Sequence, residues 1–272
     1  MADQRIFITG GASGLGKAMA LRFARAGWKV CIADLNDARG AETLAALGSD
    51  GHFLRCDVTR EEDLRAAAET LQSRWGGVDV VVNNAGVAQA GAIEDVSIDD
   101  WRWIIDINLL GVVRGCKVFT PLFRRQGHGH FVNVASMAGL LDVPMMSSYN
   151  ATKAAVVSLS ETLHNELAEA NIGVSVVCPS FFKTNLGDSL RTTDPRLGAT
   201  MARLLERSAI TADDVANDVF QAVEKRRFYV LSHAEGRRAW LMKRFLPRGI
   251  YARVMRKSTA RMRPRPGPAP TT

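Results

Sequence analysis

The sequence predicts an α/β fold, a doubly wound parallel sheet of seven strands with helices on both faces, forming one domain with a basic C-terminal extension. Three observations carry this. Short apolar or β-branched runs alternate with longer helical patterns, the runs are apolar on consecutive positions, and a glycine-rich turn directly follows the first of them. Strict alternation calls for parallel strands, because parallel neighbours need a crossover, and consecutive apolar positions call for burial on both faces. A chain of 272 residues that is 47% hydrophobic and 23% charged can bury such a core, which excludes wholesale disorder and collagen-like or disulfide-scaffold classes.

In chain order, Ile6-Phe7-Ile8 opens the sheet and leads into a helix over 15–26, and Val30-Cys31-Ile32 into a helix over 37–47. Residues 53–56 precede a helix over 61–75, 78–82 a helix over 101–125, and 131–134 a helix over 149–170. The strand at 174–178, a helix over 213–224 and a strand at 228–231 complete the set, and several helices begin on an acid or hydroxyl that suits an N-terminus. Two stretches break the alternation. Residues 185–210, with Gly187, Asp194-Pro195 and Gly198, have the composition of a mobile loop with some helix, and 264–272 alternate proline with arginine, glycine and alanine, which predicts disorder. The division expected is 1–232 for the main domain, 233–263 for an amphipathic basic extension and 264–272 for a tail.

No apolar run approaches the ~18 residues of a membrane span, and Asp3, Gln4 and Arg5 stand where a secretion signal would be apolar. Cys31, Cys56, Cys116 and Cys178 show no paired spacing, so buried idle thiols in a reducing cytoplasm are expected. His52, His128, His130, His164 and His233 show no ligand pattern and no metal is expected; His128-Gly129-His130 reads as a solvent-exposed turn. The net charge of +7 is unevenly spread, since residues 225–272 hold 14 Lys/Arg against Glu235 alone and the remainder is net −6. The positive charge therefore serves something separate from the main fold.

The turn after the first strand reads Thr9-Gly10-Gly11-Ala12-Ser13-Gly14-Leu15-Gly16. Glycines permit a tight turn and close backbone approach to a pyrophosphate, and the helix N-terminus supplies partial positive charge, so a dinucleotide is the expected ligand. Asp34 ends the second strand 18 residues past Gly16, where a carboxylate would accept from both ribose hydroxyls and repel a 2′-phosphate. Leu35 rather than an arginine follows it, so NAD is expected over NADP.

These residues resemble the classical short-chain dehydrogenase/reductase family, over roughly residues 5–232. The resemblance continues through Asp57-Val58, Asn83-Asn84-Ala85-Gly86, Asn108, Ser136, Tyr149-Asn150-Ala151-Thr152-Lys153 and Pro179 to Thr184. It implies a Rossmann sheet with strand order 3-2-1-4-5-6-7 and places Asp57 and Val58 at the adenine and Asn84, Ala85 and Gly86 beside the adenine ribose. Cofactor contacts are further implied for Gly10, Ser13, Gly14, Leu15, Gly16, Asp34, Leu35, Tyr149, Lys153, Pro179, Phe182 and Thr184. The family usually has Pro-Gly where this chain has Pro179-Ser180, which predicts a slightly altered backbone without loss of nicotinamide binding.

Tyr149 and Lys153 stand four apart on a helical pattern and share a face. An adjacent ammonium and a positively charged nicotinamide would both favour the phenolate, making the tyrosine a usable acid/base. Ser136 lies 13 residues earlier at a strand end, close enough for both hydroxyls to converge on one substrate oxygen. The resemblance implies that Ser136 binds that oxygen, Tyr149 exchanges its proton, and Lys153 lowers the tyrosine pKa while holding the nicotinamide ribose. Asn108 would hold a water on the proton path, or serve to fix a helix bend.

The function expected is hydride transfer between the nicotinamide cofactor and a hydrophobic secondary alcohol or ketone. The competing reading is a catalytically silent dinucleotide-binding regulator or scaffold. Ala88, Leu140, Leu141, Val143, Met145, Met146, Phe181 and Phe182, near the motifs in sequence, are the expected apolar pocket wall, with the possibility that several are core. Spare apolar positions on the helices at 101–125 and 149–170 predict a homodimer or homotetramer. Residues 237–257 should form two amphipathic helices broken near Pro247-Arg248-Gly249. These would cover the active-site entrance, touch the inner face of a membrane or pack on the protein body; nucleic acid is not expected as a partner.

Overall fold

The computed structural model describes the chain except residues 1–3, 183–186, 188, 195, 200–202, 204–207 and 261–272. Thr184 and the tail at 264–272 therefore lie outside the described residues. The chain runs β1 (Arg5–Thr9), α1 (Gly14–Ala24), β2 (Lys29–Asp34), α2 (Asp37–Leu47), β3 (Gly51–Arg55), α3 (Glu61–Trp75) and β4 (Val80–Asn83). It continues through β5 (Gln89–Ala90), α4 (Ile98–Ile105), α5 (Gly111–Gln126), β6 (Gly129–Val134), α6 (Ser147–Glu166), β7 (Ile172–Val177) and β8 (Arg191–Thr192). The last elements are α7 (Ala212–Glu224), β9 (Tyr229–Val230), α8 (Ala234–Phe245) and α9 (Arg248–Ser258).

Seven strands form one parallel sheet in the order β3-β2-β1-β4-β6-β7-β9, the order the family resemblance implied. Consecutive apolar residues serve opposite faces. Ile6, Ile8, Val30, Ile32, Val80 and Val82 pack on α1 and α7, whereas Phe7, Cys31, Val81 and Phe131 pack on α3, α5 and α6. Helix starts are set by short polar side chains. Asn36 Oδ1 accepts from Arg39 N at 3.0 Å, Ser97 Oγ from Asp100 N at 3.0 Å, and Thr211 and Asp214 form a reciprocal capping box.

Four features depart from the sequence reading. The helix expected over 101–125 begins at Ile98 and is interrupted by a π-helical turn, Asp106–Leu110. Its wider coil brings Asn108 against the chain after β4, a tertiary contact with no periodic signature. Gly129 and His130 are buried in β6 rather than in an exposed turn. There His130 lies opposite Gly173, whose missing side chain makes room for the imidazole, and its Nε2 sits 2.8 Å from Ser175 Oγ. Burial holds the His130 pKa down at about 4.

The third departure is the segment at 185–210, part of which is tied down. Arg191 and Thr192 pair with Gln89 and Ala90 as a two-stranded parallel sheet, because the backbone after β4 offers free carbonyls to Arg191 N and Thr193 N. The fourth concerns the substrate wall. Leu140 belongs to the main core, and Met145, at φ +65°, packs on the cluster around Ala88 and Met146 without lining the central cleft. Proximity in sequence to Ser136 and Tyr149 did not distinguish these two from their cleft-lining neighbours.

Gly173→Ala would place a Cβ 2.3 Å from His130 Nδ1 inside the sheet. We expect a loss of about 1–3 kcal/mol in urea unfolding. His130→Ala in the same chain removes the clash, so the double variant should be more stable than the sum of the single effects; strict additivity would contradict the contact.

Candidate active site

A cavity of about 490 Å³ opens along the carboxyl ends of the strands, where the chain leaves β1 and β4 toward opposite sides. Such a crevice is where open parallel sheets bind ligands. Its walls begin at Asp34, Leu35, Asp57 and Val58, pass Gly10, Ser13, Gly14, Leu15, Asn84, Ala85 and Gly86, and end at Ser136, Tyr149, Lys153, Pro179 and Phe182. Gly16 is not part of the wall. A Cβ there would stand 2.1 Å from the Gly10 carbonyl, so this glycine serves the close packing of α1 on the turn.

Local folding explains how the turn is held open. Gly10 and Gly14 take positive φ, +65° and +52°, which glycine adopts without strain. Asn84 Nδ2 donates to the carbonyls of Thr9 and Gly10 at 2.9 and 3.1 Å, and Thr9 Oγ1 accepts from Asn84 N at 3.0 Å. The first amides of α1 have no partner within the helix, and the Ser13 side chain does not cap them, so they remain donors toward the middle of the cleft. At one end, Asp34 already accepts from Ala12 N and Asn36 N, both at 3.1 Å, each using a different carboxylate oxygen. Arg39 lines the same end, a cation near Asp34.

At the other end, Tyr149 and Lys153 are buried on α6, with Nζ 5.8 Å from the centre of the phenol ring. Lys153 Nζ donates to the Val134 carbonyl at 2.9 Å, which occupies one of its three N–H bonds. Burial lowers the Lys153 pKa to about 8, and burial raises that of Tyr149, with the Ser136 hydroxyl pulling it part of the way back. The net shift of the phenol is therefore upward, the burial cost exceeding the pull of the hydroxyl, whereas the lowering expected from the sequence rested on the ammonium together with a positively charged nicotinamide. Desolvation penalises both charged forms, and spacing carries no information about it.

Ser136 Oγ accepts from Ala138 N at 3.1 Å and lies 3.4 Å from the Pro179 carbonyl, so it is fixed between the ends of β6 and β7. Ser180, in the place of the expected glycine, donates its backbone N–H to His233 Nδ1 at 3.2 Å. Asn108 lies behind the cavity. Its carboxamide accepts from Val87 N at 2.8 Å and donates to Val87 O at 2.9 Å, so the side chain is committed to holding the chain after β4. Gly86 leaves the gap between them open, since a Cβ there would be 3.1 Å from Asn108 Oδ1 and 3.5 Å from Lys153 Nζ.

Ala88, Val143, Met146 and Phe181 line the cleft beside Tyr149, whereas Leu140 and Met145 do not. Val87, Ala138 and Leu190 join that wall. Leu190 arrives through the pairing of β8 with β5, which no local pattern announces. The unused amides at α1, the Asp34 carboxylate and the buried ammonium together fit an elongated anionic dinucleotide. The four cysteines are buried and unpaired, and the described residues include no His/Cys/Asp/Glu group suited to a metal.

Residues 4–195 match the family model described as short chain dehydrogenase. A CLA biosynthesis dehydrogenase/reductase of Lactiplantibacillus plantarum is 34% identical, covering 86% of this chain and 89% of the relative. The probable oxidoreductase EphD of Mycobacterium tuberculosis is 32% identical over 96% of this chain, which spans only 45% of that protein. Among solved structures, a short chain dehydrogenase/reductase from Burkholderia phymatum in complex with NAD superposes with a TM-score of 0.85 at 32% identity, covering 98% of this chain and 97% of that one. With the glycine turn, the Ser136, Tyr149 and Lys153 cluster and the seven-stranded order all in one molecule, the chain belongs to the short-chain dehydrogenase/reductase family of oxidoreductases.

Proposed function

We propose that this chain is an NAD-dependent dehydrogenase or reductase acting on hydrophobic secondary alcohols and ketones. The observation that carries the reading is the burial of Tyr149 and Lys153 beside Ser136 at the apolar end of a cleft whose other end is Asp34. A bound nicotinamide would supply the hydride acceptor or donor. Ser136 Oγ would hold the substrate oxygen by a hydrogen bond, and Tyr149 would give or take the proton on that oxygen. Lys153 would offer its remaining N–H donors to ribose hydroxyls, and Asn108 acts as a positioning residue through Val87.

Asp34 supports NAD, because its carboxylate would face the 2′-phosphate of NADP, while Arg39 nearby is the residue that could soften the choice. Val87, Ala88, Ala138, Val143 and Met146 carry no charge, which supports an apolar substrate. The protein is proposed to work as a homodimer or homotetramer in the cytoplasm.

Tyr149→Phe should abolish nearly all turnover while cofactor still binds, and Ser136→Ala should lower kcat by about 10²–10³. In the parent, oxidation should quicken as pH rises and the phenol loses its proton, with reduction following the opposite trend. A Tyr149→Phe protein that turns over like the parent would remove this mechanism; a parent that binds cofactor yet shows no single turnover would leave the scaffold reading. A screen of secondary alcohols with both cofactors should give higher kcat/KM with NAD than NADP and with bulky apolar alcohols than short hydroxy acids. Preference for NADP would remove Asp34 from its role. Light scattering at micromolar concentration should give a mass above that of a monomer.

A further inference from the structure

The helices α8 and α9 concentrate the exposed apolar surface of the molecule. Of ten large hydrophobic side chains exposed among the described residues, six lie between Leu241 and Val254, with Phe245 76% and Ile250 50% exposed. The inner side of α8 is accounted for. Gly236 packs on Met137, Trp240 meets the Tyr229 ring at 5.2 Å, and Lys243 bonds Asp142 at 2.8 Å. Leu241, Met242 and Phe245 therefore occupy the opposite side, and in α9 Ile250 and Val254 stand one turn apart beside the buried Tyr251. Pro247 separates the two helices.

Cations surround this surface. Arg237, Arg238, Arg248, Arg253, Arg256 and Lys257 are exposed and pair with no carboxylate among the described residues. Water is a poor partner for the apolar set, and the surrounding cations would attract an anionic surface. A second copy docked symmetrically would set like charges against each other. Nucleic acid would answer the charge and leave the apolar side chains in water.

We propose that the α8–α9 surface docks on an anionic phospholipid bilayer, its apolar side chains entering the acyl boundary and its arginines meeting the headgroups. Neither helix spans, and none among the described residues is long and apolar enough to cross a membrane. Attachment is peripheral and salt-sensitive.

The test is co-sedimentation of the full chain with vesicles of phosphatidylcholine alone and of phosphatidylcholine with phosphatidylserine, at low and high salt. The parent should sediment with the anionic vesicles at low salt and be released by salt. Phe245→Ser with Ile250→Ser, and separately Arg237→Glu with Arg238→Glu, should each lower partitioning about tenfold or more. Both variants should melt like the parent, because these side chains face solvent. Equal sedimentation with both vesicle types, or with neither, would overturn the proposal. So would an apolar variant that binds like the parent, or one whose mass falls from dimer to monomer, which would identify a second copy as the occupant.

Discussion

The structure depends on keeping one gap open. Because crossovers leave β1 and β4 toward opposite faces, their carboxyl ends part, and no regular ladder spans the space between the following loops. Side-chain amides do that work, buried at Asn83 and Asn108 and half-buried at Asn84. Asn84 ties the end of β4 to the Thr9-Gly10 turn, Asn108 clamps Val87 from the π turn, and Asn83 Nδ2 reaches Asn133 Oδ1 at 2.9 Å between neighbouring strands. Each would be costly if unpaired, and each is paired, so the network supports the walls rather than weakening the core. The glycines at 10, 16 and 86 then admit backbone or a neighbouring polar atom where a side chain would collide.

The same burial that defines the gap sets the electrostatics at the end that holds Tyr149 and Lys153. Lys153 and Tyr149 are removed from water, so each favours its neutral form, and the Val134 carbonyl and Ser136 hydroxyl are the nearby dipoles that oppose this. In the proposed reaction, a cationic ring bound close by would favour the phenolate. The resting site is thus biased toward a protonated phenol. At the Asp34 end the environment is different: the carboxylate rests on two backbone donors and shares its wall with Arg39.

Charge is also partitioned between body and extension. The C-terminal residues from 225 carry a net +13 on a body of net −6, yet only Lys243 of the α8–α9 cations is seen bridging to the body, at Asp142. Ser180 contributes a second tie. Its amide reaches His233 at the start of α8, so the extension is joined to the loop that lines the cleft beside Tyr149 and Lys153.

Alternation, consecutive apolar strands and the glycine turn were enough to determine the sheet, its parallel sense and the location of the cleft, because strand and helix periods and φ > 0 requirements are local properties of the chain. The spacing of Ser136, Tyr149 and Lys153 likewise announced that the three would share one wall of the cleft. What sequence could not decide were matters of contact across the fold. Whether Leu140 or Leu141 meets the cleft depends on which way one turn rotates, and His130 is buried because Gly173, 43 residues away in the chain, leaves it room. The π turn at Asn108, the pairing of β8 with β5 and the direction of the Tyr149 pKa shift belong to the same class. Each is set by desolvation or by a hydrogen-bond partner distant in sequence, and those appear only when the chain is packed.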